Sequence, residues 1–173
     1  YTPAGIKGGL NTAFFQRPSG PGLDVAPSEA SLEYIYGRKF ESGGAGLVST
    51  ARDYLRFSQM MLNGGELDGV RILSPKTVQL MTTNHIGDLP MGFGRTGAGF
   101  GLDFGVVLDP GAVGEVSSAG EYNWGGAAGT RFWIDPQEKM IGLFMVQSIP
   151  HRTRLAGDFK VLAYQAMTES YAD

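Results

Sequence analysis

Hydrophobic side chains recur with the spacing of an amphipathic helix in the second quarter of the chain. The apolar stripe of this helix consists of Tyr54, Phe57, Met61 and Leu62. Ser49 or Thr50 can cap its start, and Asn63-Gly64-Gly65 ends it. A second, shorter helix is predicted from Ser74, with Pro75 in its first turn.

The last part of the chain has the same helical periodicity. Its apolar positions are Leu155, Phe159, Leu162, Ala163, Ala166 and Met167. Such a stripe faces the core in most amphipathic helices, so we expect this helix to lie across a sheet with its apolar residues buried.

Between these helices the pattern changes to strands. Apolar and polar residues alternate with a period of two from Phe100 to Leu108, which predicts one half-buried strand. A weaker strand is predicted from Val113 to Ala119 and a stronger one from Ala127 to Ile134. The apolar run from Met140 to Val146 suits a central strand that is buried on both faces.

The order of these elements predicts an α+β fold in which helices flank an antiparallel sheet. Residues 1–46 are rich in glycine and proline and show no sustained periodicity, so we interpret them as an irregular connecting segment. Residues 47–173 would form the sheet domain. The chain begins with Tyr1 rather than methionine, and we expect it to be a piece of a longer protein.

Composition excludes several classes of function. The net charge is -3 and Lys and Arg form no cluster, which argues against a nucleic-acid partner. The chain has no cysteine and only two histidines, so no metal site is predicted and no cofactor is implied. No apolar stretch reaches the roughly 20 residues that a membrane helix needs.

The stretch EYNWGGAAGTRFWIDP, residues 121–136, places three glycines beside both tryptophans of the chain. One interpretation is a tight turn or bulge. The other is a strand start at which Gly125 and Gly126 leave the backbone open, so that the Ala127 N–H can point at a developing oxyanion. Spacing alone favours the turn or bulge.

Other candidate residues have simpler explanations. His85 and His151 lie in predicted loops, where a solvated histidine is more common than a general base. Glu115, Glu121 and Asp135 are scattered around predicted turns, and we interpret them as solvated charges rather than as a glycosidase pair.

Two segments, FESGGAGLVSTARDYLRFSQMMLNGG and GEYNWGGAAGTRFWIDPQEKMIGLFMVQ, resemble the C-terminal part of serine β-lactamase-like hydrolases, and most closely the class C-related esterases. The resemblance runs from about Gly43 to the last helix. It implies a β-lactamase/transpeptidase-like fold, a five-stranded antiparallel sheet with helices on both faces, which this chain would supply incompletely.

Three motifs mark the catalytic site of that family, and this chain carries one. Ser-x-x-Lys and Tyr-x-Asn are absent from the sequence. Trp124-Gly125-Gly126 stands where relatives have Lys-Thr-Gly or His-x-Gly. The resemblance implies that Ala127 supplies an oxyanion-hole N–H, that residues 124–126 bind substrate, and that Gly44 and Ala45 line the rim of the acyl pocket.

These implications favour a carboxylesterase whose nucleophile lies outside the chain, in an N-terminal portion of the same protein that pairs with it. The substrate would be a small ester or acyl compound. Trp124 lacks the charge of the family lysine, which argues against carboxylate-bearing β-lactams and peptides. The alternatives are a non-catalytic ligand-binding or structural module, and β-lactamase or D-Ala peptidase-like activity in the intact protein.

Overall fold

The computed structural model describes residues 14–16, 23–25, 49–92, 95–149, 151 and 153–171. The helices are α1 (Ala51–Leu62), α2 (Pro75–Met81), α3 (Pro110–Val113) and α4 (Leu155–Gln165). The strands are β1 (Phe14–Gln16), β2 (Leu23–Val25), β3 (Glu66–Leu67), β4 (Val70–Arg71), β5 (Ala98–Phe100), β6 (Gly105–Val107), β7 (Tyr122–Gly125), β8 (Arg131–Asp135), β9 (Met140–Phe144) and β10 (Ser148–Ile149). Gly44 and Ala45 lie outside the described residues. The boundary between residues 46 and 47 also lies there and stays a prediction.

The main sheet has five strands in the order β5-β6-β7-β8-β9, and each pair of neighbours is antiparallel. A smaller sheet joins β10, β1 and β2, with β1 parallel to β10. Strands β3 and β4 form a separate hairpin. This arrangement, with α1 and α4 packed on the main sheet, confirms the predicted α+β fold.

Helix α1 begins and ends where the sequence predicts. The Thr50 side chain accepts a hydrogen bond from the Asp53 N–H at 3.1 Å, which makes Thr50 the N-cap. Asn63 is the C-cap, and Gly64 and Gly65 follow with φ values of 70° and 97°. Helix α2 is capped in the same way by Ser74.

The N-cap of α1 gives a first stability prediction. Replacing Thr50 by alanine removes the acceptor for the Asp53 N–H, so we expect the free energy of unfolding to fall by about 1 kcal/mol. Thr50→Ser keeps the hydroxyl and should lose much less. Urea denaturation of both variants measures the difference, and equal losses would show that the hydroxyl does not cap the helix.

The hydrophobic core lies between α1 and one face of the main sheet. Cross-strand neighbours share a face, so Tyr122 on β7 and its partner Ile134 on β8 point to the same side. The buried members of this core are Met60, Met61, Val78, Phe104, Val106, Tyr122, Phe132 and Ile134. Trp133 alternates with them and is buried on the opposite face, against α4.

The alternating segment from Phe100 to Leu108 forms a hairpin, so the prediction of one strand is wrong. Phe100 pairs with Gly105, and the Gly101 N–H donates to the Phe104 carbonyl at 2.8 Å. Asp103 adopts a left-handed conformation, with φ 68°, in the turn. An aspartate can adopt this conformation, and it reverses the chain where simple alternation predicts continuation.

One further strand prediction is wrong, and another places the start of its strand too early. Val113 ends the short helix α3, which Asp109 caps, and residues 114–121 belong to no strand. The strand predicted from Ala127 begins only at Arg131, because residues 126–130 form the turn that leads into β8.

The environments of β9 and α4 also differ from the predictions. Within the described residues β9 is an edge of the main sheet, and of its five residues only Gly142 is buried. Helix α4 forms as predicted, but its buried residues are Ala156 and Lys160, whereas Leu162 is 64% exposed. Lys160 faces the buried Glu121, which directly precedes β7, so the buried face of α4 includes a charged residue and part of the apolar stripe is exposed.

Candidate active site

The stretch 121–136 forms most of a β-hairpin. Trp124 and Gly125 end β7, and they pair with Phe132 and Arg131 on β8. The placement of Gly125 and Gly126 at the start of a strand is therefore wrong: Gly125 ends β7, and Gly126 begins the turn that follows. The consequence is that Ala127 lies in the connecting turn.

Ala127 is the second residue of a β-turn formed by residues 126–129. The Gly129 N–H donates to the Gly126 carbonyl at 2.9 Å, and the Gly126 N–H donates to the Thr130 carbonyl at 2.8 Å. Ala127 is exposed, and no described residue accepts a hydrogen bond from its N–H. The Ala127 N–H is thus an exposed backbone donor of this turn, beside the Ala128 N–H, which also has no acceptor among the described residues.

Packing explains two of the three glycines in this stretch. A Cβ on Gly126 would lie 2.6 Å from the Thr130 hydroxyl oxygen. Gly129 has φ 91°, and a Cβ there would lie 2.2 Å from Nδ1 of His151. The turn interpretation of this stretch is therefore correct for these positions. It leaves open what the exposed Ala127 N–H binds.

His151 packs directly against the turn and is not the solvated loop residue of the sequence analysis. It is half-buried, and its Nδ1 atom is buried without a hydrogen-bond partner among the described residues. Its Nε2 atom lies 3.3 Å from the Thr153 hydroxyl. His85, in contrast, is exposed, with Nε2 2.7 Å from the Leu80 carbonyl.

Trp124 lies between two depressions of the surface and is 40% exposed. On one side its ring meets Phe100 edge to face, with the centroids 5.2 Å apart, in an apolar cleft. On the other side a groove of about 490 Å³ is bordered by Trp124, residues 125–126 and His151. Charged side chains also line this groove: Arg95, Glu115, Arg131, Arg154, Asp158 and Lys160.

Beneath the groove, a polar network ties β7 and β8 to α4. Lys160 Nζ lies 2.7 Å from a Glu121 carboxylate oxygen, and Asn123 donates to the same oxygen at 3.2 Å. The Tyr164 hydroxyl lies 3.0 Å from Glu121 and 2.7 Å from Asp135. Glu121 and Asp135 are fully buried, so their interpretation as solvated turn charges is wrong.

Burial dominates the protonation of this network. Burial raises the pKa of Glu121, and the Lys160 ammonium offsets that effect only in part. Burial and the hydrogen bond to Asp135 raise the pKa of Tyr164 as well, so it stays a neutral hydrogen-bonding group. At the groove, partial burial acts against ionisation of Glu115, but Arg131 lowers the pKa of this carboxyl group.

The sequence analysis did not predict the buried hydrogen-bonded network of Glu121, Lys160 and Tyr164. One local signal was present: Ala156, Lys160 and Tyr164 recur every four residues and so share one face of α4. Among the predicted site residues, the structure brings together Trp124, Gly125, Gly126 and Ala127 on one hairpin.

A family model described as Beta-lactamase matches residues 7–165. Protein Rv1367c of Mycobacterium tuberculosis is 41% identical over 123 residues, which cover 64% of this chain and 30% of that protein. A putative D-alanyl-D-alanine carboxypeptidase of Escherichia coli O157:H7 is 33% identical over 110 residues, 64% of this chain and 24% of that protein.

Two solved structures share the fold. EstCE1, a hydrolase with promiscuous acyltransferase activity, superposes with a TM-score of 0.72 at 21% identity, over 88% of this chain and 43% of its own. Simvastatin synthase (LovD) from Aspergillus terreus superposes with a TM-score of 0.69 at 20% identity, over 91% of this chain and 43% of its own. The chain thus spans less than half of each similar protein described here.

The described helices are all too short or too polar to cross a lipid bilayer.

Proposed function

The chain belongs to the Beta-lactamase family, and from that membership we propose that it is the C-terminal portion of an acyl-serine hydrolase that cleaves carboxylic esters. The observation that carries the proposal is the turn after β7. Its exposed Ala127 N–H lacks an acceptor among the described residues and follows the strand end that bears Trp124.

The Ala127 N–H would act as an oxyanion-hole donor. In the intact protein, a serine hydroxyl attacks the ester carbonyl, and negative charge develops on the carbonyl oxygen. A backbone donor fixed by a hydrogen-bonded turn stabilises that charge without moving. The alcohol then leaves, and water hydrolyses the acyl-enzyme.

The nucleophile would lie outside these 173 residues. The sequence contains no Ser-x-x-Lys, and the chain spans 43% of the length of EstCE1. An N-terminal portion of the same protein would supply the serine and the lysine, with Gly44 and Ala45 at the rim of the acyl pocket. The exposed apolar residues of α4, among them Leu155 and Leu162, would lie against that portion.

Labelling of the purified protein with a fluorophosphonate tests this assignment. Intact mass spectrometry under denaturing conditions, with sequencing of the labelled chain, should find the adduct on a serine of a Ser-x-x-Lys motif outside residues 1–173. Ester hydrolysis by a single 18.5 kDa species would contradict it.

The absence of Ser-x-x-Lys also supports a second candidate, a non-catalytic ligand-binding or structural module that keeps the scaffold. This candidate requires a stable chain that turns over no ester and takes no label. A change in tryptophan fluorescence on titration with an ester, without hydrolysis and absent from Trp124→Phe, would favour it over the hydrolase.

Esters should be better substrates than β-lactams. An indole offers one N–H donor and an apolar face, whereas a lysine would offer a fixed charge to a substrate carboxylate. We therefore expect kcat/KM of the intact protein to be higher for p-nitrophenyl butyrate than for the cephalosporin nitrocefin. Trp124→Lys should move the ratio toward nitrocefin by about tenfold, and Trp124→Phe, which adds no charge, should not.

The opposite preference would support the remaining alternative. The Escherichia coli relative bears the name of a D-Ala peptidase, so β-lactamase or peptidase activity is the competing assignment for the intact protein. Faster cleavage of nitrocefin than of the ester would show that the argument from Trp124 is wrong.

A further inference from the structure

An apolar cleft of about 300 Å³ lies beside Trp124, which also borders the charged groove. Its lining side chains are Ile86, Leu89, Pro90, Met91, Phe100 and Trp124. Every described residue that borders the cleft is therefore apolar. The volume is at the lower end of the roughly 300–1,000 Å³ of small-molecule sites, so the cleft suits one substituent rather than a whole large substrate.

The loop that lines the cleft is tied to β5 by the Asn84 side chain and by a backbone hydrogen bond from the His85 N–H to the Phe100 carbonyl at 2.8 Å. Asn84 Oδ1 accepts hydrogen bonds from the Ile86 N–H at 3.1 Å and from the Phe100 N–H at 3.2 Å. Asn84 Nδ2 donates to the Gly87 carbonyl at 2.9 Å. Because Asn84 joins the loop to β5, the width of the cleft is set before any ligand arrives.

The cleft has a buried floor and an open rim. Met91 is 5% exposed, whereas Leu89 is 70% exposed at the rim. An apolar group that entered would cover Leu89 and the edge of Trp124, and removal of that surface from water favours binding. A charged group would find no charged side chain on the described walls.

We propose that this cleft binds the apolar alcohol part of the ester, an aryl or branched alkyl group. The inference rests on the proposed function and names the substrate class for the same site. Trp124 lines the cleft and lies near the end of β7, three residues before Ala127 in the turn that follows. The acyl pocket is expected at Gly44 and Ala45, which leaves this second apolar cleft for the alcohol.

Leu89→Asp in the intact protein tests the proposal, with 1-naphthyl acetate and methyl acetate as substrates. Both form the same acetyl-enzyme, so a different response of their kcat/KM values reports on the alcohol. We expect kcat/KM to fall about tenfold for the naphthyl ester and less than twofold for the methyl ester. Leu89 is exposed, so the substitution should not disturb folding.

Leu102→Asp is the matched control, because Leu102 is an exposed leucine, 45%, outside the cleft. It should change kcat/KM for neither of the two esters. A parallel series of p-nitrophenyl acetate, butyrate and hexanoate varies the acyl chain at constant alcohol. If the Leu89→Asp loss grows along this series instead, the cleft binds the acyl chain and the proposal is wrong.

Failure of this proposal differs from failure of the proposed function. If Leu89→Asp lowers kcat/KM equally for both acetates, the cleft does not bind the alcohol, but the assignment of ester hydrolysis is unaffected. A wild-type protein that hydrolyses none of these esters would overturn both.

Discussion

Replacement of Ala127 by proline in the intact protein is expected to lower kcat for ester hydrolysis by about a hundredfold or more. The substitution removes the exposed backbone donor at Ala127 and leaves the neighbouring side chains in place. Loss of a single oxyanion-hole donor costs about 3 to 4 kcal/mol of transition-state stabilisation, which corresponds to that factor. Steady-state kinetics with p-nitrophenyl butyrate measure the loss.

The turn itself should accept proline at this position. Ala127 is the second residue of a four-residue turn closed by the bond from Gly129 to Gly126, and proline is favoured at that position of the common turn types. Its N–H has no acceptor among the described residues, so no described hydrogen bond of the fold is lost. The structure therefore separates the catalytic effect from an effect on folding.

Ala127→Ser is the control, because it adds a side chain and keeps the N–H. We expect its kcat to stay within a fewfold of the wild-type value, and both variants should unfold at the wild-type temperature. A folded Ala127→Pro variant with unchanged turnover would show that Ala127 is not an oxyanion donor.

The local signals of the sequence locate the helices well. Thr50 and Ser74 cap α1 and α2 as their positions predict, because a cap requires one side chain within three residues of the N–H that it binds. The alternation from Phe100 to Leu108 misleads for a physical reason. The chain reverses at Asp103, but apolar and polar residues continue to alternate through the turn. The alternation therefore cannot reveal a single residue in the left-handed conformation.

The candidate site was likewise only partly predictable from the sequence. Residues 124–127 are found from the motif, yet whether glycines open a strand or close a turn depends on contacts with Thr130 and His151. The contact between Glu121 and Lys160 joins residues 39 positions apart, which no local pattern encodes. Burial of these charges follows from the packing of α4 on the sheet.

The buried pair gives the largest expected effect on stability. Glu121→Leu would leave the Lys160 ammonium buried beside an apolar side chain, and removal of one member of a buried ion pair costs about 3–5 kcal/mol. We expect about 3 kcal/mol, at the lower end of that range. The reason is that a Glu115 oxygen lies 3.8 Å from Lys160 Nζ and offers a partial substitute. Urea denaturation measures the change in the free energy of unfolding.

Glu121→Leu/Lys160→Met is the matched control. It removes both charges and replaces them with apolar side chains of similar size, so it should recover most of the lost stability. If the double variant is as unstable as Glu121→Leu, the loss comes from packing and not from the unpaired charge.

Lys160→Met should behave differently, because the remaining group can neutralise itself. Burial raises the pKa of Glu121, and loss of the ammonium raises it further. A carboxyl whose folded pKa is raised stabilises the fold below its unfolded pKa, about 4.3, and loses that contribution as the pH rises through the folded value. The penalty of Lys160→Met, relative to wild type, should therefore grow between pH 5 and pH 8.

The double variant Glu121→Leu/Lys160→Met lacks the Glu121 carboxyl. Its stability relative to wild type should therefore not depend on pH in the way expected for Lys160→Met. Unfolding free energies of the three proteins at pH 5, 6, 7 and 8 separate these cases. A Lys160→Met penalty that is constant across this range would mean that Glu121 keeps its charge without Lys160. The hydrogen bonds from Asn123 and Tyr164 would then be enough to hold a buried carboxylate at the base of β7.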